Sequence, residues 1–371
     1  MTEASESPGD EEPKHERHLA SHIFNIVVMV IGGIALAWML HNMGWTALRD
    51  IVSNVGWWFG VILALDLASL CMDAAALHAF MRPEARMIKY PRVLGAQASG
   101  RAINVLTPGG ALGEATKLTM LMTHAPRDRV LSSVVLLNLS QFYLSVAVMI
   151  IGTPIMFLLV DLPRDYKIMV AIGFAVLVPL MVMLGFMIQR GAVSTLIGLV
   201  RRTRIISDER AKSWKERLRE VDRHISELQR HRSAGTWKGL LWVLGSKLVT
   251  YTSTMLLLHT AGVHVTPALV VGVLSVGVLI QWVSQIVPMG LGLQDGGNYA
   301  LFDLLGASGA HGMAVTMVNR ARSIIVAVLG LGAMAVMHTI NRLALARMHR
   351  KLRELRERAA AADEREASPA Q

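Results

Sequence analysis

Six stretches of this chain are apolar almost without interruption: Ile23–Leu40, Val55–Met81, Val130–Val160, Ile168–Ile188, Gly239–Ala261 and Met313–His338. Each comes close to or exceeds the roughly 20 residues that a helix needs to cross about 30 Å of hydrocarbon. The pattern predicts six full transmembrane spans. Ile23–Leu40 is too long for the core of a signal peptide and lacks a small-residue cleavage site, so it reads as a retained span. Pro154 falls inside the third run and predicts a kink or a tilt there.

Two further apolar stretches are interrupted. Val93–Met122 is broken by Thr107-Pro108-Gly109-Gly110, and Pro267–Leu305 by Pro288-Met289-Gly290-Leu291-Gly292. Proline removes a backbone donor and glycine frees the chain, so neither stretch predicts a continuous helix. Irregular backbone survives inside a bilayer only where protein buries it or a wet cavity receives it. Each stretch therefore reads as a hairpin of two half-helices, although the 21 residues Pro267–Val287 would also suffice for a full crossing, so 267–305 is either a re-entrant hairpin or two spans.

Basic residues orient the scheme. The segment Arg201–Lys238 holds 12 Lys/Arg against 6 acids, and the tail from Asn341 onward holds 8 against 5. Linker 82–92 adds Arg82, Arg86, Lys89 and Arg92, whereas loops 42–54, 161–167 and 262–266 carry only Arg49, Arg164 and Lys167. Six spans with both termini cytoplasmic reproduce this bias. The first hairpin then enters from the cytoplasm and the second from outside, which predicts an inverted-topology repeat. The expected organisation is an acid-rich disordered cytoplasmic tail at 1–20, a membrane domain over 21–340 and a basic cytoplasmic tail at 341–371. Within the membrane domain, 201–238 is a basic cytoplasmic loop, whose stretch 208–232 reads as a solvated helix with interleaved charges.

Composition agrees: 53% of the 371 residues are apolar or aromatic and 17% charged, against about 25% charged in an ordinary globular domain. Mean hydropathy is +0.44. The fold class is an all-α polytopic membrane protein with about six spans and two broken or re-entrant hairpins. The net charge of +10 reads as membrane orientation beside anionic lipid, not as nucleic-acid binding. Cys71 is the only cysteine, which excludes a disulfide framework. Walker, nucleophile-elbow and zinc-helix motifs are absent, and neither a metal nor a cofactor is expected.

Ionisable groups at membrane depth are costly, so each is a candidate for function. The first hairpin gathers Arg101, Asn104, Pro108, Gly109, Gly110, Gly113, Glu114 and Lys117; the second gathers Pro288, Gly290, Gly292, Gln294 and Asp295. Counted from the proline, the acid falls at +6 in one hairpin and +7 in the other. A helix that begins at such a break points free N–H groups and a positive dipole end into the cavity, which suits a phosphate or carboxylate. Arg101, Lys117 and Arg320 are candidates to add full positive charge. For Glu114 and Asp295 the alternatives are capping or a place on the headgroup path. Asp66 and Asp73 are seven apart on one face of the second span. They read either as structural partners of Arg101, Arg320 or Arg322, or as part of a translocation path.

The stretch GRAINVLTPGGALGEATKLTMLMTHAPRDRVLSSVVLLNLSQF, with QIVPMGLGLQDGGNYALFDLLG and AVTMVNRARSIIVAVLGLGA, resembles the lysylphosphatidylglycerol synthase transmembrane-region family. The likeness extends over roughly residues 20–340. It implies a helical bundle with two broken hairpins and the movement or handling of polar lipids. Lys117 stands where the family usually has Arg, and Gln294-Asp295 where it usually has Arg-Glu. In the helix after the first hairpin, Asn138 and Gln141 occur in place of an acid–Arg pair. The family's soluble aminoacyl-transferase domain is not expected in a chain with about 30 residues after its last span.

The expected function is therefore a lipid flippase or transporter of the inner (cytoplasmic) membrane. It would pass a phospholipid headgroup through a cavity between the hairpins and would not be an enzyme. Two alternatives stand beside it: a membrane scaffold that docks a soluble lipid-modifying enzyme, and an intramembrane enzyme acting on a lipid-linked substrate.

Overall fold

The computed structural model describes residues 26–27, 29–34, 37, 41, 45–82, 88–107, 111–160, 234–284 and 292–367, with single positions in 168–179. Helices make up the described residues and no strand occurs among them. In chain order they are α1 (Trp45–Val55), α2 (Trp57–Phe80), α3 (Tyr90–Leu106), α4 (Ala111–Met122), α5 (Arg127–Leu159), α6 (Ala234–Thr260), α7 (Pro267–Ser284), α8 (Leu293–Leu304) and α9 (Gly309–Ala367). Five are long and apolar enough to cross a membrane: Trp57–Phe80, Arg127–Leu159, Gly235–Thr260, Pro267–Ser284 and Gly309–Ile340. The chain is an all-α, multi-pass membrane protein. Of the expected span Ile23–Leu40, residues 26–27, 29–34 and 37 are described and helical, whereas Ile168–Ile188, apart from single positions, tail 1–20 and helix 208–232 lie outside the described residues.

Four of these five helices coincide with spans expected from sequence. The fifth, α7, is one unbroken helix of 18 residues, about 27 Å long, which favours a full crossing over a re-entrant arm. Thr266 caps its start by accepting the Leu269 N–H at 3.2 Å, and Pro267 occupies the first turn, where no donor is needed. Each hairpin thus has unequal arms, 17 and 12 residues in the first and 18 and 12 in the second.

Local sequence explains both breaks. Thr107 precedes a proline, which disfavours the helical region for it, and it adopts φ −117° and ψ 139° as α3 ends. Its hydroxyl donates back to the Ile103 carbonyl at 2.7 Å. On the other side, Gly292 opens α8 at φ 79°, a conformation that side-chain-bearing residues rarely adopt. Pro154 interrupts the hydrogen-bond ladder of α5, which nonetheless runs continuously to Leu159.

The principal pairings between the halves are α2 with α6, α3 with α9, and α5 with α7. Exchanging α2–α5 for α6–α9 leaves this set unchanged, as a twofold repeat requires. Lipid tails are as apolar as leucine, so close backbone approach and hydrogen bonds must hold such helices together. Small residues occupy the crossings accordingly. At α3–α9 a Cβ on Gly330 would lie 2.4 Å from the Ala98 carbonyl oxygen, and at α5–α7 a Cβ on Gly152 would lie 2.8 Å from Ser275 Cβ. At α2–α6 the Ser69 hydroxyl lies 3.1 Å from both Ser246 Oγ and Thr250 Oγ1.

Gly330→Ala forces a methyl group against backbone that cannot move aside, at a cost of about 1–3 kcal/mol. Gly332, with nothing within 4 Å of its Cβ position, is the control. Thermal unfolding in detergent is expected to show a lower Tm for Gly330→Ala and an unchanged or higher one for Gly332→Ala. Equal effects would refute the crossing.

Candidate functional site

Between the two halves lies a cavity of about 520 Å³. Arg101 reaches it from α3, Lys247 and Tyr251 from α6, Gln281 from α7, and Arg320 and Arg322 from α9. Neutral amides of Asn104, Gln294, Asn298 and Asn319 also face it. Four cations thus converge between helices long and apolar enough to cross a membrane.

Cations in such a place need compensation, and acids on neighbouring helices supply most of it. Arg322 Nη1 lies 3.5 Å from Asp66 Oδ1, and both groups bond Ser253 Oγ at 3.3 Å. One turn pair away on α2, Asp73 Oδ2 stands 4.0 Å from Arg101 Nη1. Of the partners open to this acid pair on sequence grounds, the fold thus selects Arg322 and Arg101. Arg320 Nη2 donates to Asp295 Oδ2 at 2.6 Å. The exception is Lys247. Its ammonium donates to Ser145 Oγ at 2.7 Å, and among the described residues no carboxylate oxygen lies within 4.0 Å of it.

The acids that follow the two breaks act as clasps. Glu114 Oε1 accepts Lys117 Nζ at 2.8 Å and Asn104 Nδ2 at 3.1 Å, while Oε2 accepts Asn138 Nδ2 at 2.9 Å. It therefore joins α3, α4 and α5. Asp295 Oδ2 accepts the Gly292 N–H at 3.0 Å as well as Arg320, and so joins the start of α8 to α9. Each clasp binds its short arm to the long helix that follows, over spacings of 24 and 25 residues. Asn138 fills on α5 the position that Arg320 fills on α9.

Of the residues singled out in the sequence, Arg101, Asn104, Gln294 and Arg320 border the cavity. Glu114, Lys117, Asp66, Asp73 and Asp295 stand behind its wall as pairing groups. Gly113 serves close approach: a Cβ there would fall 2.1 Å from the Gly100 carbonyl oxygen on the facing arm. Gly292 serves the turn into α8. Pro108, Gly109, Gly110, Pro288 and Gly290 lie outside the described residues. Sequence reasoning passed over Lys247, although it is the only Lys, Arg, Asp or Glu in Gly239–Ala261. That isolation inside an apolar run was the available signal. Tyr251 and Asn319 carried none beyond ordinary span composition.

Lys117 is 4% exposed, and Glu114 is the acid paired with it. Glu114→Gln strands that cation, and, with Glu114 itself partly exposed, the expected cost is about 2 kcal/mol. The double variant Glu114→Gln/Lys117→Met is expected to unfold at a higher temperature than Glu114→Gln alone. A double variant less stable than either single one would overturn the clasp.

The family model described as the lysylphosphatidylglycerol synthase TM region matches residues 25–330. Comparisons with curated proteins and with solved structures return no match. The matched stretch contains both hairpins, both clasping acids and all four cavity cations. The chain belongs to the lysylphosphatidylglycerol synthase TM region family.

Proposed function

We propose that this protein is a translocator that carries the headgroup of a polar lipid between leaflets while the acyl tails remain in hydrocarbon. The observation that supports it is the hydrogen-bonding cavity of about 520 Å³ set between helices long and apolar enough to span a bilayer. A charged headgroup cannot enter hydrocarbon without losing its hydration, and groups fixed in a cavity replace that water. Arg101, Arg320 and Arg322 offer N–H donors to phosphate oxygens, and Asn298, Asn319 and Gln281 serve hydroxyl or ester oxygens. Membership of a family named for lipid synthesis in the membrane supports the same class of substrate.

Two matched hairpins offer a route for alternating access, in which one half rocks against the other around a fixed site. The bias of Lys and Arg favours the cytoplasmic membrane with both termini inside. In this role the chain binds and moves lipid and makes or breaks no covalent bond.

Gly277 borders the cavity, and its Cβ position has no atom nearer than 3.8 Å. Gly277→Ala is expected to leave movement of a fluorescent phospholipid in proteoliposomes intact. Gly277→Phe, which fills the space, is expected to slow it at least tenfold with the fold retained. Undiminished movement through a filled cavity would refute this path.

A further inference from the structure

Charge of one sign faces the cavity. Among the described residues that line it are Arg101, Lys247, Arg320 and Arg322, and no Asp or Glu. Asp66 and Asp73 are each 6% exposed and stand behind the arginines that they pair with. Asp295 is engaged by the Gly292 N–H and by Arg320. An ammonium entering this space meets cations and neutral amides, with no carboxylate on the wall.

The four cations exceed the three aspartates by one, and Lys247 is the cation with no carboxylate oxygen within 4.0 Å among the described residues, with Asp73 acting on it only at longer range. Its hydrogen-bond partner, Ser145 Oγ, is neutral. The guanidinium of Arg320 is held at one edge by Asp295, while its Nε, within a side chain only 8% exposed as a residue, has no hydrogen-bond partner among the described residues. A lysine ammonium on a flexible stem can follow a phosphate as it moves, whereas a paired arginine keeps its place.

Resting on the translocation reading above, we propose that the cavity selects lipids whose headgroup is net anionic. These carry a phosphodiester with no compensating ammonium, and Lys247 is the residue that sets the preference. A phosphodiester contributes one negative charge, which offsets the single excess positive charge of the set. A zwitterionic or aminoacylated headgroup brings a cation beside Arg101, Lys247 and Arg322 and is disfavoured by like-charge repulsion.

The test uses the full-length protein in proteoliposomes with acyl-labelled phosphatidylglycerol, phosphatidylcholine and lysyl-phosphatidylglycerol, each quenched from outside. The wild type is expected to move phosphatidylglycerol roughly tenfold faster than either ammonium-bearing lipid, the discrimination that a single charge-assisted contact provides. Lys247→Met is expected to lose most of that advantage and Lys247→Arg to restore it. Equal or faster movement of the ammonium-bearing lipids overturns the proposal, as does a Lys247→Met variant that slows all three alike.

Lipid-induced thermal stabilisation in detergent separates this inference from the reading beneath it. If no lipid moves but phosphatidylglycerol alone stabilises the wild type and not Lys247→Met, translocation fails and the selectivity stands. Stabilisation by all three lipids alike overturns the selectivity whatever the transport result. Should Lys247→Met not fold, Lys247→Gln replaces it, and the wild-type preference remains decisive by itself.

Discussion

Cations placed between helices that face hydrocarbon must be compensated before anything else about the bundle can be arranged. Here aspartates on α2 and α8 compensate the arginines of α3 and α9, and that requirement fixes which helices meet. Asp66 and Asp73 lie two turns apart on α2, and each draws an arginine from a different element: Arg322 from α9 and Arg101 from α3. The same pairs leave the arginines' remaining N–H groups available to the cavity. Pairing thus both lowers the cost of burying the charge and orients the donors.

Packing obeys a second constraint, the absence of hydrophobic drive between helices surrounded by lipid. Small residues and hydroxyls take its place at the α2–α6, α3–α9 and α5–α7 crossings. Gly100 and Gly113 do the same inside the first hairpin, letting its arms approach until Asn104 reaches Glu114. The α3 contact of the clasp, from Asn104, depends on those glycines having no side chains.

Hydropathy alone located four of the five long apolar helices, because a span is a one-dimensional signal, and the Pro/Gly clusters located both breaks. For α7 it leaves a full crossing and a re-entrant arm both open, because the apolar length suits either, and the unbroken 18-residue helix favours the crossing. The acids after the breaks were visible from their spacing to the prolines. Their partners were less so: Asp66 and Arg322 are 256 residues apart, and no local pattern encodes that meeting. Nor does spacing alone show that Lys117 is paired with Glu114 at 2.8 Å, or that Gly113 packs against the Gly100 carbonyl oxygen. Lys247 stood in plain view, but a span read for its apolar content conceals its single charge.

The last helix has a mechanical consequence. From Arg320 to Ala367, α9 continues without a break for 47 residues, about 70 Å at 1.5 Å per residue. It is therefore a lever with its short end at the cavity. By the same helical rise, a tilt of about 10° at Arg320 sweeps the far end through about 12 Å. A tilt at the cavity is thereby magnified at the distal end of the rod, where a spectroscopic label can read it.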